Sequence, residues 1–182
     1  DNFPHDMLPP TKRVAEGNGG YVFAPGNGFV SIEAEHYYSA KAADGVQWSV
    51  YPYYGRTRSA VALTPYTKPV GNSSLTYRFA LPKGYADSVK VHVIVKSTLD
   101  FKNVGGHECA ISVDGQPVKT VNFNADLLDK QPYQYTTFYP TVARRVVEKV
   151  AGFKVKDSDI HELTLTPKHA GIVFEKNVID FG

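Results

Sequence analysis

Short runs in which apolar and polar residues alternate constrain the fold of this chain more than any other feature. The clearest run is Ser88–Lys96, in which every second residue from Val89 to Val95 is a valine. A period of two places successive side chains on opposite faces of a β-strand, and β-branched residues favour strands. The run therefore predicts a strand whose valine face points into a core.

Similar runs recur along the chain, separated by glycine, proline and other turn-forming residues. The predicted strands occupy residues 29–36, 58–63, 75–81, 88–96, 107–113, 117–124, 161–167 and 171–181. Asp114-Gly115 predicts the two-residue turn of a hairpin. Repeated short strands with turns between them are typical of an antiparallel β-sandwich or jelly roll. A parallel α/β sheet would need repeated crossover helices, and the sequence offers at most one short helix.

The single helix candidate follows Pro140. Val142, Val146 and Val150 have helical spacing, whereas the adjacent β-branched residues Val146 and Val147 favour a strand. We interpret this stretch as a short helix from about Thr141 that continues into a strand over residues 147–155. Residues 1–28, rich in proline and glycine, are predicted to form an irregular lead-in that packs on a sandwich domain of residues 29–182.

Composition excludes several classes of function. The 182 residues carry 20 Lys+Arg and 18 Asp+Glu, scattered along the chain, which argues against a nucleic-acid or membrane-binding surface. No apolar run approaches the ~20 residues that span a bilayer. The single cysteine, Cys109, excludes an internal disulfide and multi-cysteine metal motifs. Because the chain lacks an initiator methionine, we expect it to be part of a larger protein that is secreted, periplasmic or on the cell surface.

Catalytic motifs are absent from the sequence. It contains no phosphate-binding loop, no G-x-S-x-G elbow and no H-E-x-x-H, and the six histidines are dispersed. A glycosidase carboxylate pair depends on tertiary spacing that a sequence does not reveal. A self-sufficient hydrolase is therefore the least favoured hypothesis, and no catalytic residue is predicted.

Two acidic residues in the first sandwich strand suggest a cation site. A strand places Glu33 and Glu35 on one face, about 7 Å apart, where their charges repel unless water or a cation screens them. If the last strand pairs with the first, Asp180 is a third candidate ligand for a hard cation such as Ca²⁺. Spacing alone favours the simpler interpretation, in which both glutamates face water.

Residues 48–56 combine Trp48, Tyr51, Tyr53 and Tyr54 with Arg56, and we predict an aromatic loop there. Aromatic rings stack on the apolar faces of sugars while polar side chains bind the hydroxyls, and loops commonly carry binding sites. The alternative is that these rings cover the edge of the sandwich as a minor core.

At these residues the chain resembles a known family. The run 29–37 (FVSIEAEHY) resembles the opening strand of carbohydrate-binding modules of families 6 and 35, and is most similar to the C-terminal domain of glycoside hydrolase family 115, the xylan α-glucuronidases. Further stretches occur in the family's order: GRTRSAV at 55–61, STLDF at 97–101, AISVDGQP at 110–117, VNFNAD at 121–126 and VIDFG at 178–182.

The resemblance implies a galactose-binding-like jelly roll with a structural Ca²⁺ held by Glu33, Glu35 and Asp180, which reverses the preference drawn from spacing. It implies a sugar site at one end of the sandwich, and the matching candidates are Trp48, Tyr54, Arg56, Phe101 and Asn177. The implied function is a non-catalytic domain that binds uronic-acid-decorated plant glycans such as glucuronoxylan and accompanies the catalytic domains of a parent enzyme. The alternative is a structural domain that docks on those catalytic domains without binding sugar.

Overall fold

A computed structural model of the protein shows two facing β-sheets. It describes residues 13–17, 20–23, 28–52, 59–81, 87–96, 107–123, 146–155 and 160–181. Every regular element in these segments is a strand, so they contain no helix of the length and apolarity needed to cross a bilayer.

The strands of the described segments follow the alternation of the sequence. In chain order they are β1 Arg13–Gly17, β2 Gly20–Phe23, β3 Phe29–Glu33, β4 Ser39–Lys41, β5 Gln47–Pro52, β6 Ser59–Thr64, β7 Ser74–Ala80, β8 Ser88–Lys96, β9 Glu108–Val113, β10 Lys119–Asn122, β11 Val146–Lys154, β12 Ile160–Pro167 and β13 Val173–Asp180.

These strands form two sheets with long-range connections. The seven-stranded sheet has the order β1-β2-β7-β12-β9-β10, with β4 also paired to β7. The six-stranded sheet has the order β11-β8-β13-β6-β5, with β3 also paired to β13. The pairings are antiparallel except that β2 runs parallel to β7. The predicted all-β antiparallel sandwich is therefore confirmed, and the last strand lies at the centre of the second sheet.

The core lies between the two sheets, where the inward positions of both sets of strands meet. Alternate residues of β8, from Val89 to Val95, face this core as predicted. Leu75, Tyr77 and Phe79 of β7 oppose them from the other sheet. The apolar residues that the period-of-two pattern assigns to the interior thus form one cluster, which binds the two sheets together.

Some local predictions were wrong in their boundaries. The predicted irregular lead-in contains β1 and β2, which pair as a hairpin and extend the seven-stranded sheet along β7. The first half of the predicted aromatic loop is strand β5, paired to β6. The strand predicted over residues 29–36 ends at Glu33, because a turn follows in which the amide of His36 donates to the carbonyl of Glu33. The predicted helix near Thr141 lies outside the described residues.

The buried thiol of Cys109 makes stability sensitive to alkaline pH. Burial raises the pKa of Cys109 from 9.0 to about 12, and the backbone near Thr166 and the charge of Lys168 offset only part of that rise. Above the pKa of the unfolded thiol, the unfolded chain loses a proton that the folded chain retains. Stability therefore falls as pH rises, by about 1.4 kcal/mol per pH unit between about pH 9 and 12.

Urea denaturation across that pH range tests this prediction, with Cys109→Ala as the matched control. The variant should be less stable near pH 8, because it leaves a small cavity, and its stability should then fall less steeply with pH than that of the wild type. Buried Tyr77 adds a loss in the same direction in both proteins, since burial raises its pKa above the usual range. Parallel pH profiles for the two proteins would refute the assignment to Cys109.

Candidate functional site

At one end of the sandwich, the connection 42–46 packs against the connection 65–73, and a candidate surface site lies beside them. The amide of Ala43 donates to Oγ of Ser73 at 2.8 Å, and that hydroxyl donates to the carbonyl of Val70 at 2.7 Å. Gly71 has a φ of +54°, and a Cβ added there would lie 2.7 Å from Cβ of Ala43. The close approach of the two connections, 42–46 and 65–73, therefore depends on a glycine at this position.

Trp48 lies beside these connections, near the start of β5. Its indole packs on Phe174 of the core, with ring centroids 6.1 Å apart and an angle of 56° between the planes. Its Nε1 donates to the carbonyl of Lys41 at 2.9 Å. The ring is half-buried, so packing and a hydrogen bond fix its orientation while part of its surface stays open to solvent.

Tyr66 lies in the connection that follows β6, at the same end of the sandwich as Trp48, and the sequence analysis did not single it out. Trp48 pairs with Leu63 across β5 and β6, and Tyr66 follows three residues after Leu63. Its side chain is 44% exposed, and Lys41 and Lys68 nearby in sequence are exposed as well. We call this surface the aromatic end and define it by Lys41, Trp48, Tyr66 and Lys68. An aromatic residue between prolines in a connecting segment was the available indication in the sequence.

Of the other predicted sugar-binding residues, only Asn177 lies in the described part of the chain, and it is not on this surface. Asn177 is buried at 1% exposure and sits at a register position between core residues Ile32 and Val93. It lies near the hydroxyl of Tyr77, which donates to the carbonyl of Ala34 at 2.7 Å. Desolvation raises the pKa of Tyr77, and Asn177 offsets only part of the rise. Tyr54, Arg56 and Phe101 lie outside the described residues.

The predicted cation ligands are also dispersed. β13 does pair with β3, but Glu33 lies opposite Lys176 whereas Asp180 lies opposite Phe29. These register positions are four residues apart, or about 13 Å along a strand. Glu35 follows the strand in a turn and lies 3.6 Å from Nε2 of His36. Within the described part of the chain, no three His, Cys, Asp or Glu side chains form a group that could hold a metal ion.

A groove lies at the opposite end of the sandwich, where β9 and β11 end. It has a volume of about 440 Å³ and is lined by Asp114, Gly115, Gln116, Lys154 and Val155. Gln116 donates from Nε2 to the carbonyl of Lys154 at 2.5 Å, and Asp114 holds the imidazole of buried His161 at 2.7 Å. These polar groups are engaged in holding the strand ends together. None of the described residues that line the groove is aromatic, so the aromatic end is the better candidate for sugar stacking.

Comparison with solved structures supports the fold. One similar chain belongs to a family GH115 4-O-methyl-α-glucuronidase, BtGH115A, with specificity for decorated arabinogalactans: the TM-score is 0.58 at 13% identity, and the match covers 80% of this chain and 18% of that one. Another is the C-terminal CBM6 of LamC, a marine laminarinase from Zobellia galactanivorans, with a TM-score of 0.55 at 14% identity over 84% of this chain and 98% of that one.

A family 35 carbohydrate-binding module from Clostridium thermocellum is similar as well, with a TM-score of 0.52 at 14% identity, covering 82% of this chain and 97% of the module. This chain thus spans about the length of the binding modules but less than a fifth of the glucuronidase. At these identities the likeness establishes the fold alone.

Sequence comparison establishes the family. No curated protein sequence matches this chain significantly. The sequence profile of the glycosyl hydrolase family 115 C-terminal domain, however, matches residues 22–182, which is most of the chain and includes every strand from β3 to β13. The chain therefore belongs to the family of glycosyl hydrolase family 115 C-terminal domains.

Proposed function

We propose that this protein is a non-catalytic accessory domain that binds uronic-acid-decorated plant glycans, such as glucuronoxylan, on behalf of the catalytic domains of an α-glucuronidase. Membership of the family and the fold of carbohydrate-binding modules support the accessory, carbohydrate-binding role. Such glycans lie outside the cell, so the domain would work in a secreted, periplasmic or cell-surface protein.

The single observation that carries the proposed site is a tryptophan that is anchored by the protein and still partly open to solvent, on a strand whose partner strand leads into exposed Tyr66. Trp48 is fixed by its contact with Phe174 and its bond to Lys41, so stacking a sugar on its open part costs little ordering of the ring. Tyr66 provides a second aromatic surface, and it is 44% exposed. Together the two side chains offer the kind of apolar platform on which the C–H face of a sugar ring lies.

The exposed lysines provide the selectivity for acidic sugars. Lys41 and Lys68 both lie on the aromatic end and are exposed. An ammonium attracts the carboxylate of a uronic acid, and at an exposed site that attraction weakens as salt screens it. We therefore propose that affinity for uronic-acid-bearing oligosaccharides exceeds affinity for neutral xylo-oligosaccharides and falls with ionic strength. Tyr54, Arg56 and Phe101 remain candidates that further variants would test.

Removing the exposed ring should weaken binding. We expect Tyr66→Ala to lower the affinity for glucuronoxylan oligosaccharides by roughly two- to tenfold, since an aromatic contact is worth about 0.5–1.5 kcal/mol and 1.4 kcal/mol is tenfold. Calorimetric titration measures the change, and the fluorescence of the single tryptophan reports whether Trp48 lies near the ligand. Tyr66→Phe keeps the ring and serves as the matched control.

Lysine variants separate charge recognition from stacking. Lys68→Ala should reduce binding of the uronic-acid-bearing ligand and leave binding of neutral xylo-oligosaccharides unchanged. Lys154→Ala, at the groove on the opposite end, removes the same charge without affecting either ligand. If the wild-type domain binds no glycan at all, the proposal fails, and the alternative of a structural domain that docks on catalytic domains takes its place.

A further inference from the structure

A buried ion pair joins β3 to β13, the last strand, on the face of their sheet that is turned away from the core. Nζ of Lys176 lies 3.7 Å from Oε1 of Glu33, and neither side chain has any solvent exposure. The two residues are direct partners in the β3–β13 register. Lys176 also lies opposite Ile94 of β8, which packs with Val178 in a small apolar cluster on this face.

Burial makes the two charges depend on each other. A charged group taken out of water is stabilised only where an opposite charge and hydrogen bonds replace its hydration. Both residues also make further interactions, so the pair belongs to a larger set of polar contacts. Removing one partner would leave the other as a buried charge that has lost its ion-pair partner, which is the costly case.

The predicted calcium ion does not fit this arrangement. Calcium takes six to eight oxygen ligands at about 2.3–2.6 Å, so an ion on Oε1 of Glu33 would lie at most about 6 Å from the ammonium of Lys176 and would be repelled by it. The same ion would need Asp180, which is four register positions away, or Glu35, which has turned toward His36.

We infer that the ammonium of Lys176 takes the place of a metal ion at Glu33, so that this strand junction is held by an internal cation and is independent of calcium. The lysine is part of the chain and is present whenever the chain folds. A bound ion would instead stabilise the fold in proportion to its concentration. The junction between β3 and β13 is therefore expected to have the same stability with calcium and with a chelator.

A double-mutant cycle combined with chelation tests this inference. Lys176→Met keeps the length of the side chain and removes its charge, and we expect it to lower the melting temperature by about 10 °C. Glu33→Gln is the nearly isosteric neutral partner. The double variant Glu33→Gln/Lys176→Met should regain most of the loss, because both charges of the pair are then removed together. Each protein is melted in EDTA and in millimolar CaCl2.

The inference is supported if the wild type and Glu33→Gln respond identically to EDTA and calcium and if the double variant is more stable than Lys176→Met. It is overturned if EDTA lowers the melting temperature of the wild type but not that of Glu33→Gln or Asp180→Asn, since calcium would then bind these carboxylates. It is also overturned if Lys176→Met is as stable as the wild type. If Lys176→Met fails to fold, the comparison of the wild type with Glu33→Gln decides.

Discussion

Phe174→Ala is expected to lower the free energy of unfolding by about 3–5 kcal/mol, the usual cost of truncating a buried phenylalanine. Phe174 is 1% exposed and lies on β13 between Val95 of β8 and Val61 of β6. Strands on both sides hold the backbone in place, so the space left by the ring will not close by local collapse.

The same ring connects the core with the aromatic end. Phe174 contacts Trp48 of the six-stranded sheet. It also packs edge to face on Phe123, which follows β10 of the other sheet, with ring centroids 6.5 Å apart and an angle of 87° between the planes. Truncation should therefore release the inner face of Trp48. We expect the tryptophan emission of the folded variant to shift to the red and its affinity for glycan to fall with the loss of a fixed platform.

Urea denaturation followed by circular dichroism measures the stability, and the fluorescence of the folded state measures the environment of Trp48. Phe174→Leu retains most of the apolar volume and should cost no more than about 1.5 kcal/mol. A Phe174→Ala variant within 1 kcal/mol of the wild type, or one whose emission is unchanged, would show that this ring does not support Trp48.

Local sequence patterns predict where the strands of this fold lie, but they do not predict which strands pair with each other. The valine alternation of β8 and the turn at Asp114-Gly115 are set by neighbouring residues, and both are confirmed, although β10 begins only at Lys119 and the connection is therefore longer than the predicted two residues. The partnership of Glu33 with Lys176 depends on the register between the first sandwich strand and the last. A shift of that register would replace the lysine with another residue, and no local pattern encodes it.

The aromatic stretch shows why the site was predicted only in part. Tyrosine and proline together suggested a loop over residues 48–56, but residues 47–52 form a strand because their side chains have partners on both faces. Trp48 packs on the core, while Tyr51 packs on Ala60, Ala62 and Val173 on the other face. Tyr66 gave a weaker indication, a lone aromatic residue between prolines, and only the pairing of β5 with β6 brings its segment to the same end of the sandwich as Trp48.

Asp114 is the second residue whose loss should be severe, because it combines a backbone and a side-chain role. Asp114 and Gly115 form the tight turn that follows β9, with φ angles of +53° and +70°. Aspartate tolerates this left-handed region better than alanine does. Its carboxylate accepts a hydrogen bond from Nδ1 of His161 at 2.7 Å and another from the amide of Glu162 at 2.8 Å. His161 is 1% exposed and stacks on Phe79 of the core.

Asp114→Ala should therefore leave a buried imidazole nitrogen and a backbone amide without their acceptor, at a cost of about 2–4 kcal/mol in the free energy of unfolding. Asp114→Asn keeps one acceptor oxygen and the turn preference, so urea denaturation should show a smaller loss for this control. Because Asp114 lies at the end opposite Trp48, the folded Asp114→Ala protein should bind glycan as the wild type does. Equal stability losses for the two variants, or weakened glycan binding in either, would contradict this separation of the stabilising turn from the binding surface.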